Sequence, residues 1–199
     1  AAVASGMGQL AIGTDAGGSI RIPAGFTGIY GLKPSFGRVP AYPASPFGTL
    51  AHAGPMSRTV TDAALMLDVI SQPDTRDWRS LPPTNSDYRG SLDPDMKGKK
   101  IALCPDLGLD IKINSEIADS LAAVANCFES LGATVDTPKL EWPADPREVI
   151  VIYFASGAAL MASMLTSAQR DLLEPTLIDM VEHGEKLSML SVKAAETDR

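Results

Sequence analysis

Apolar positions recur along this chain with two spacings, one helical and one extended. Over residues 57–70, Val60, Ala64, Leu67 and Ile70 fall on one stripe of a 3.6-residue period. Thr59-x-x-Asp62 has the form of a capping box, so the pattern predicts a helix there. Lys100-Ile101-Ala102-Leu103-Cys104 reads as a buried strand, and Leu10-Ala11-Ile12 as a short one. Ser115 is expected to open a helix, with Glu116 at its positive end and Ile117, Leu121, Val124, Phe128 and Leu131 on one face. Gly132 closes it, and residues 133–136 form a second strand. Strand, helix and strand in that order predict a parallel pair. Residues 146–165, 167–183 and 187 onward predict further helices, the second kinked or broken by Pro175. Residues 78–97 carry Pro, Asn, Asp and Gly and read as a long surface loop.

Two stretches depart from this regular pattern. Residues 149–169 hold no charge over 21 positions, which meets the length criterion for a membrane span. Ser156, Gly157, Ser163, Thr166, Ser167 and Gln169 dilute it, and Ala155, Ala159 and Ser163 form a small-residue face at i, i+4 and i+8. A buried helix making a close approach is the expectation, and no membrane partner. The other stretch is the first third, rich in Gly, Pro and Ala, with Asp15 its only acid before Asp62. That is the composition of a loop-heavy site built from backbone.

Composition then narrows the class. At 45% hydrophobic and 21% charged, the chain is globular. A net charge of −7, with no basic cluster beyond Lys97-Gly98-Lys99-Lys100, argues against a nucleic-acid partner. Two cysteines, Cys104 and Cys127, make no disulfide framework and no zinc-ligand spacing. They read as buried reduced thiols, which fits a reducing, cytoplasmic setting. The segment Ala1-Ala2-Val3-Ala4-Ser5 has no basic leader and reads as the interior of a helix, while residues 194–199 read as a helix without a stop signal. A fragment of a longer protein is expected.

The densest chemistry lies in Gly13-Thr14-Asp15-Ala16-Gly17-Gly18-Ser19-Ile20-Arg21-Ile22-Pro23-Ala24. Glycines permit unusual dihedrals and close ligand approach, and successive N–H groups in such a loop make a concave anion site. A serine at the end of that concavity has the layout acyl transfer needs, a nucleophile beside an oxyanion hole. A phosphate-binding loop and a purely structural turn remain open on these residues alone. No P-loop, G-x-G-x-x-G, G-x-S-x-G, S-x-x-K or H-E-x-x-H motif is present. His52, in a Pro/Gly-rich loop, is a candidate base for Ser19, whereas His183 is a cation at a helix C-terminus. Asp15 and Arg21 straddle the loop and are expected to pair and fix its shape.

These residues, with Gly31-Leu32-Lys33-Pro34-Ser35-Phe36-Gly37-Arg38, Gly54-Pro55-Met56-Ser57-Arg58-Thr59-Val60 and Asp62-Ala63-Ala64, resemble the amidase signature family. Asp74-x-Arg76-Asp77 and residues 100–136 extend the resemblance over essentially the whole chain. It implies an α/β fold with a mixed sheet between helix layers, incomplete at both ends, in a single domain. It also implies hydrolysis of carboxamides by a Ser–Ser–Lys triad without metal or organic cofactor. Ser19 matches the nucleophile; the backbone N–H groups of Ala16, Gly17, Gly18 and Ser19 match the oxyanion hole; Thr14, Asp15 and Arg21 match the loop supports. The bridging Ser and the catalytic Lys would precede Ala1. Lys33, in its Leu-Lys-Pro context, matches a different segment, and Thr27 stands where many members have Cys.

The implied partner is a small-molecule amide, and a homodimer is compatible with the family. Within it, one component of the tRNA-dependent amidotransferase, its glutaminase, uses the same chemistry on glutamine. Trp78-Arg79-Ser80-Leu81-Pro82 resembles the stand-alone amidases more. The reading from another class is a non-catalytic module whose Gly loop binds an anion, or an inactive fragment.

Overall fold

The computed structural model describes residues 1–143 and 145–199, and it divides the chain into two compact units. The first contains Ala1–Leu92 and Pro146–Arg199, the second Asp93–Asp145.

The first unit is built on a three-stranded antiparallel sheet in the order β1-β3-β2, formed by β1 (Leu10–Asp15), β2 (Tyr30–Gly31) and β3 (His52–Ser57). Each of the six residues of β1 faces one of β3, from Leu10 opposite Ser57 to Asp15 opposite His52. The expectation that His52 lies in a loop therefore fails: it opens the central strand. Gly54 and Pro55 hid that strand, since proline donates no ladder hydrogen bond. Here Pro55 falls where β2 has ended, and its carbonyl still accepts from Leu32 N–H at 3.0 Å. α1 (Arg21–Thr27) follows β1, and α2 (Val60–Ile70) packs on β3.

Thr59 caps α2 as expected, its hydroxyl accepting the Asp62 N–H. The buried stripe is Ala63, Ala64 and Leu67, so Val60, 46% exposed, lies off it. Ser57 belongs to β3 and donates to the Thr59 carbonyl at 2.7 Å.

The uncharged stretch forms α4 (Pro146–Ser163), which is buried on two sides by α6 (Pro175–Glu185) and α7 (Met189–Asp198). Val149 and Tyr153 pack with Ala195 of α7, and Ala158 and Ala162 with Val181 of α6. Among the described residues no helix is long and apolar enough to cross a membrane. Pro175 breaks the run as predicted: α5 (Ser167–Arg170) stops before it, and α6 starts on it at a position where its missing N–H costs nothing. The small-residue face does what its spacing implies. A Cβ on Gly184 of α6 would collide with the Ala155 carbonyl and come 2.9 Å from the Ala159 Cβ. Gly184→Ala is expected to lower the unfolding free energy by about 1–3 kcal/mol through overpacking. Alanine's better helix propensity, about 1 kcal/mol, acts in the opposite direction. Urea denaturation reads the difference. At the other end of the chain, residues 2–6 form successive turns rather than the helix expected there.

The second unit holds α3 (Ser115–Ser130) and the parallel pair β4 (Lys100–Ala102) and β5 (Thr134–Asp136). The strand–helix–strand expectation holds in topology, so the parallel and antiparallel pairings of this α/β fold fall in separate sheets. Asn114 rather than Ser115 caps α3, accepting from Glu116 N–H at 2.9 Å. Burial differs from expectation. β4 is only partly covered, because two strands and one helix cannot enclose both faces of a sheet, and the α3 stripe leaves Ile117, Val124 and Leu131 more than half exposed. For the same reason Cys104 is half-buried and Cys127 exposed, which corrects the reading of both as buried thiols.

Candidate active site

The loop between β1 and α1 is organised by one carboxylate. Asp15 is 1% exposed at the end of β1. Its Oδ1 accepts from Gly18 N–H at 2.7 Å and from Arg21 Nη2 at 3.0 Å. Its Oδ2 accepts from Arg21 Nε at 2.9 Å, and from the N–H groups of Ile20 and Arg21 at 3.3 and 3.4 Å. The expected Asp15–Arg21 pair is thus a two-pronged fork, and the carboxylate also satisfies the first donors of α1, which has no side-chain cap of its own. The Arg21 guanidinium, reinforced by the Gly18 and Ile20 N–H groups, holds the Asp15 carboxyl far below the usual carboxylate range.

Beneath the loop, Ile20 is fully buried, and three glycines make its room. A Cβ would lie 2.8 Å from Ile20 Cγ1 at Gly13, 3.0 Å from Cγ2 at Gly31 and 3.2 Å from Cδ1 at Gly54. These glycines come from β1, β2 and β3 in turn, so every strand of the sheet gives up a side chain to seat the loop. Gly18 has φ +115°, where side chains are strained, and a Cβ there would press on Ile22.

Ser19 is exposed on this frame and lines a cavity of about 420 Å³. Among the described residues its hydroxyl has no hydrogen-bond partner, and the N–H groups of Ala16, Gly17 and Ser19 have no acceptor. Gly18 departs from the expected set of four donors, because its N–H is already committed to Asp15. Thr14 lines the cavity and pairs with Ala53 through the β1–β3 register. Its hydroxyl bonds to nothing among the described residues, so the structure ties Thr14 in through the backbone ladder alone.

His52 shares the cavity with Ser19. Its Nδ1 lies 2.6 Å from the Leu50 carbonyl and 3.3 Å from that of Asp15. Carbonyls only accept, so Nδ1 carries the proton and Nε2 the lone pair. Burial pushes the pKa of the ring below its ordinary value, favouring the neutral form. No hydrogen bond joins it to Ser19 among the described residues. Lys33 Nζ donates to the Pro34 carbonyl at 2.9 Å and does not line the cavity.

The cavity also contains residues that motif reading passed over. Asp77, 8% exposed, accepts the Ala41 N–H at 2.9 Å and the Arg79 N–H at 3.0 Å, tying residues 77–79 to the cavity rim. Arg79 lies over the Phe36 ring at 5.7 Å, and its Nε is buried without a hydrogen-bond partner among the described residues, 3.7 Å from Asp77 Oδ1. Phe47 and Phe154 complete an apolar end, and a Cβ at Gly17 would lie 2.8 Å from Phe154 Cζ. The one available signal for Asp77 is its place in the Asp74-x-Arg76-Asp77 segment. For Phe154, inside an uncharged helix, there is none.

Comparison with known proteins fits this geometry. The family model "Amidase" matches residues 1–194. A glutamyl-tRNA(Gln) amidotransferase subunit from Streptococcus pyogenes is 41% identical over 164 residues, covering 82% of this chain and 33% of that protein. An acylamidase from Rhodococcus erythropolis is 35% identical over 204 residues, covering 100% of this chain and 42% of its own length. This chain therefore spans less than half the length of either relative. Among solved structures, a bacterial aryl acylamidase of the amidase signature family superposes with a TM-score of 0.86 at 31% identity, over 100% of this chain and 43% of the other. With an Asp-anchored glycine loop presenting an exposed serine, and the family match running along nearly its full length, the chain belongs to the amidase signature family.

Proposed function

We propose that a protein carrying this chain hydrolyses carboxamides with Ser19 as nucleophile. The observation that carries the reading is the Ser19 hydroxyl, unpartnered among the described residues, on the wall of a cavity of about 420 Å³ and next in sequence to the acceptor-free N–H groups of Ala16, Gly17 and Ser19. Ser19 Oγ attacks the amide carbonyl carbon, and its proton passes to the base relay as the C–O bond forms. The developing oxyanion sits on the N–H groups of Ala16, Gly17 and Ser19, while Gly18 serves through Asp15 to keep the loop in shape. The proton is then delivered to the departing nitrogen, the C–N bond breaks, and water releases the carboxylate from the acyl-enzyme. The relay is the family's bridging Ser and Lys, supplied by sequence outside these 199 residues as part of the same amidase domain. Thr14, Asp15 and Arg21 support the loop.

The test is reaction of the full-length protein with a fluorophosphonate, followed by mass mapping and an amide panel. Labelling at Ser19 with turnover of amides supports the reading. Absence of both overturns it in favour of an anion-binding loop. The 41% identity to the amidotransferase component favours a second reading, a glutaminase acting within an amidotransferase. Preference for glutamine over simple alkyl and aryl amides in the same panel would select it.

A further inference from the structure

One ring nitrogen on the wall of the Ser19 cavity takes no part in the proposed hydrolysis. His52 opens β3 opposite Asp15 of β1. Its Nδ1–H is shared between two carbonyls, Leu50 at 2.6 Å and Asp15 at 3.3 Å, so the backbone sets both the tautomer and the orientation of the ring. Phe36 meets the ring edge-on, with centroids 5.8 Å apart and planes at 82°, and braces it there. Nε2 has no hydrogen-bond partner among the described residues and is not sealed from solvent. With Nδ1 turned onto the backbone, the far edge of the ring, carrying the Nε2 lone pair, is what His52 offers to the cavity it lines.

Hydrogen-bonding character around the cavity is thereby divided. The N–H groups of Ala16, Gly17 and Ser19 are donors without an acceptor among the described residues. The acidic side chains on the wall, which could accept, are engaged. Both oxygens of Asp15 are taken by the loop and Arg21, and those of Asp77 by the Ala41 and Arg79 N–H groups. The hydroxyls of Thr14 and Ser19 act as donor or acceptor alike and discriminate nothing. Nε2 in this tautomer accepts only. A carboxamide bearing an N–H is the complementary ligand, with an acceptor on its carbonyl and a donor on its nitrogen. An ester of the same shape carries an oxygen where the amide has N–H, and would set one lone pair against another.

We propose that His52 reads the amide nitrogen: its Nε2 accepts a hydrogen bond from the substrate N–H while the carbonyl lies against the N–H groups beside Ser19. His52 is then a specificity-determining residue that selects amide over ester by the atom that departs. Asp15 organises both halves, its side chain holding the Ser19 loop and its carbonyl the His52 ring, so one residue sets the spacing between donors and acceptor. The inference deepens the amidase reading above and rests on it.

The experiment is calorimetric titration of the full-length protein carrying Ser19→Ala with N-methylamides and methyl esters of the same acids. Each pair differs only in N–H against O. An amide carbonyl is the better acceptor in any site, so the diagnostic quantity is the change in the amide-to-ester affinity ratio when His52→Phe is added. That substitution keeps an aromatic ring against Phe36 and removes Nε2. The ratio is expected to fall about ten-fold or more. Imidazole ¹⁵N NMR on the Ser19→Ala protein retains the native ring and decides the matter should His52→Phe fail to fold. The His52 signals, identified by through-space contacts with Phe36, should show Nε2 moving upfield with the amide and not with the ester. An unchanged ratio, an Nε2 signal indifferent to the amide, or no binding of any amide would overturn the assignment. Because binding is read without the nucleophile, the two readings separate. A His52-dependent ratio alongside no turnover of any amide by the unsubstituted protein supports this role and overturns the amidase reading alone. Turnover that His52→Phe slows equally for amides and esters, with the ratio unchanged, does the reverse and makes the ring a base for Ser19.

Discussion

Ser19→Ala in the full-length protein is expected to lower kcat/KM for amide hydrolysis by at least about a thousand-fold while leaving stability unchanged. The two halves of that expectation come from the same observation. An exposed hydroxyl with no hydrogen-bond partner among the described residues contributes nothing that its removal would cost the fold, so the change in unfolding free energy should stay within about 0.5 kcal/mol. In the proposed reaction this hydroxyl is the nucleophile, next in sequence to the acceptor-free N–H groups. On that proposal its loss leaves only what the proposed oxyanion donors and binding provide, and about three powers of ten correspond to roughly 4 kcal/mol of barrier. Steady-state kinetics paired with thermal unfolding reads both at once. A variant retaining more than about a thousandth of the activity would remove Ser19 from the nucleophile's role.

Asp15→Asn should behave in the opposite way and damage both fold and rate. The Asp15 carboxylate accepts five hydrogen bonds through two oxygens, and an amide offers one oxygen and places an NH₂ against Gly18 or Arg21. A cost of about 1–3 kcal/mol at pH 7 is expected, moderated because the Arg21 side chain is 54% exposed. kcat should fall more than KM rises, since the loop rather than the cavity wall is disturbed. The pH dependence gives a sharper check. A carboxyl with its folded pKa depressed contributes stability that is complete above the unfolded value, about 3.9, and is lost as pH falls through the folded one. The stability gap between the two proteins should therefore be full at pH 6–7 and narrow as the pH drops below about 4. A gap independent of pH, or native kcat in the variant, would contradict the assignment of Asp15 as the loop's organiser.

Local chemistry was legible in the sequence wherever one residue decides it. The glycine density of residues 13–18, the isolation of Asp15 among the first 61 residues, the Thr59 cap and Pro175 each act over a few positions. What depends on partners distant in sequence was not. Nothing near Gly18 announces that its N–H is taken by Asp15, and nothing near Phe154 places it on Gly17, 137 positions earlier. β3 was hidden because its proline sits where the ladder has ended, which is a property of β2. The α3 stripe was correctly periodic and still exposed, because periodicity states which face seeks cover and not whether the cover is present.

The three glycines around Ile20 also bear on the order in which this molecule becomes itself. Ile20 lies within about 3 Å of where each of three strands would otherwise carry a side chain, so its pocket is defined only when β1, β2 and β3 are all paired in register. β3 is some forty residues from β1 in sequence, and pairings of that separation are slow to form because the intervening chain must first be closed. The serine loop cannot take its final shape ahead of that closure. The final seating of the loop that presents Ser19 is thus a late event in the maturation of the fold, and a partly assembled sheet has nowhere to hold it.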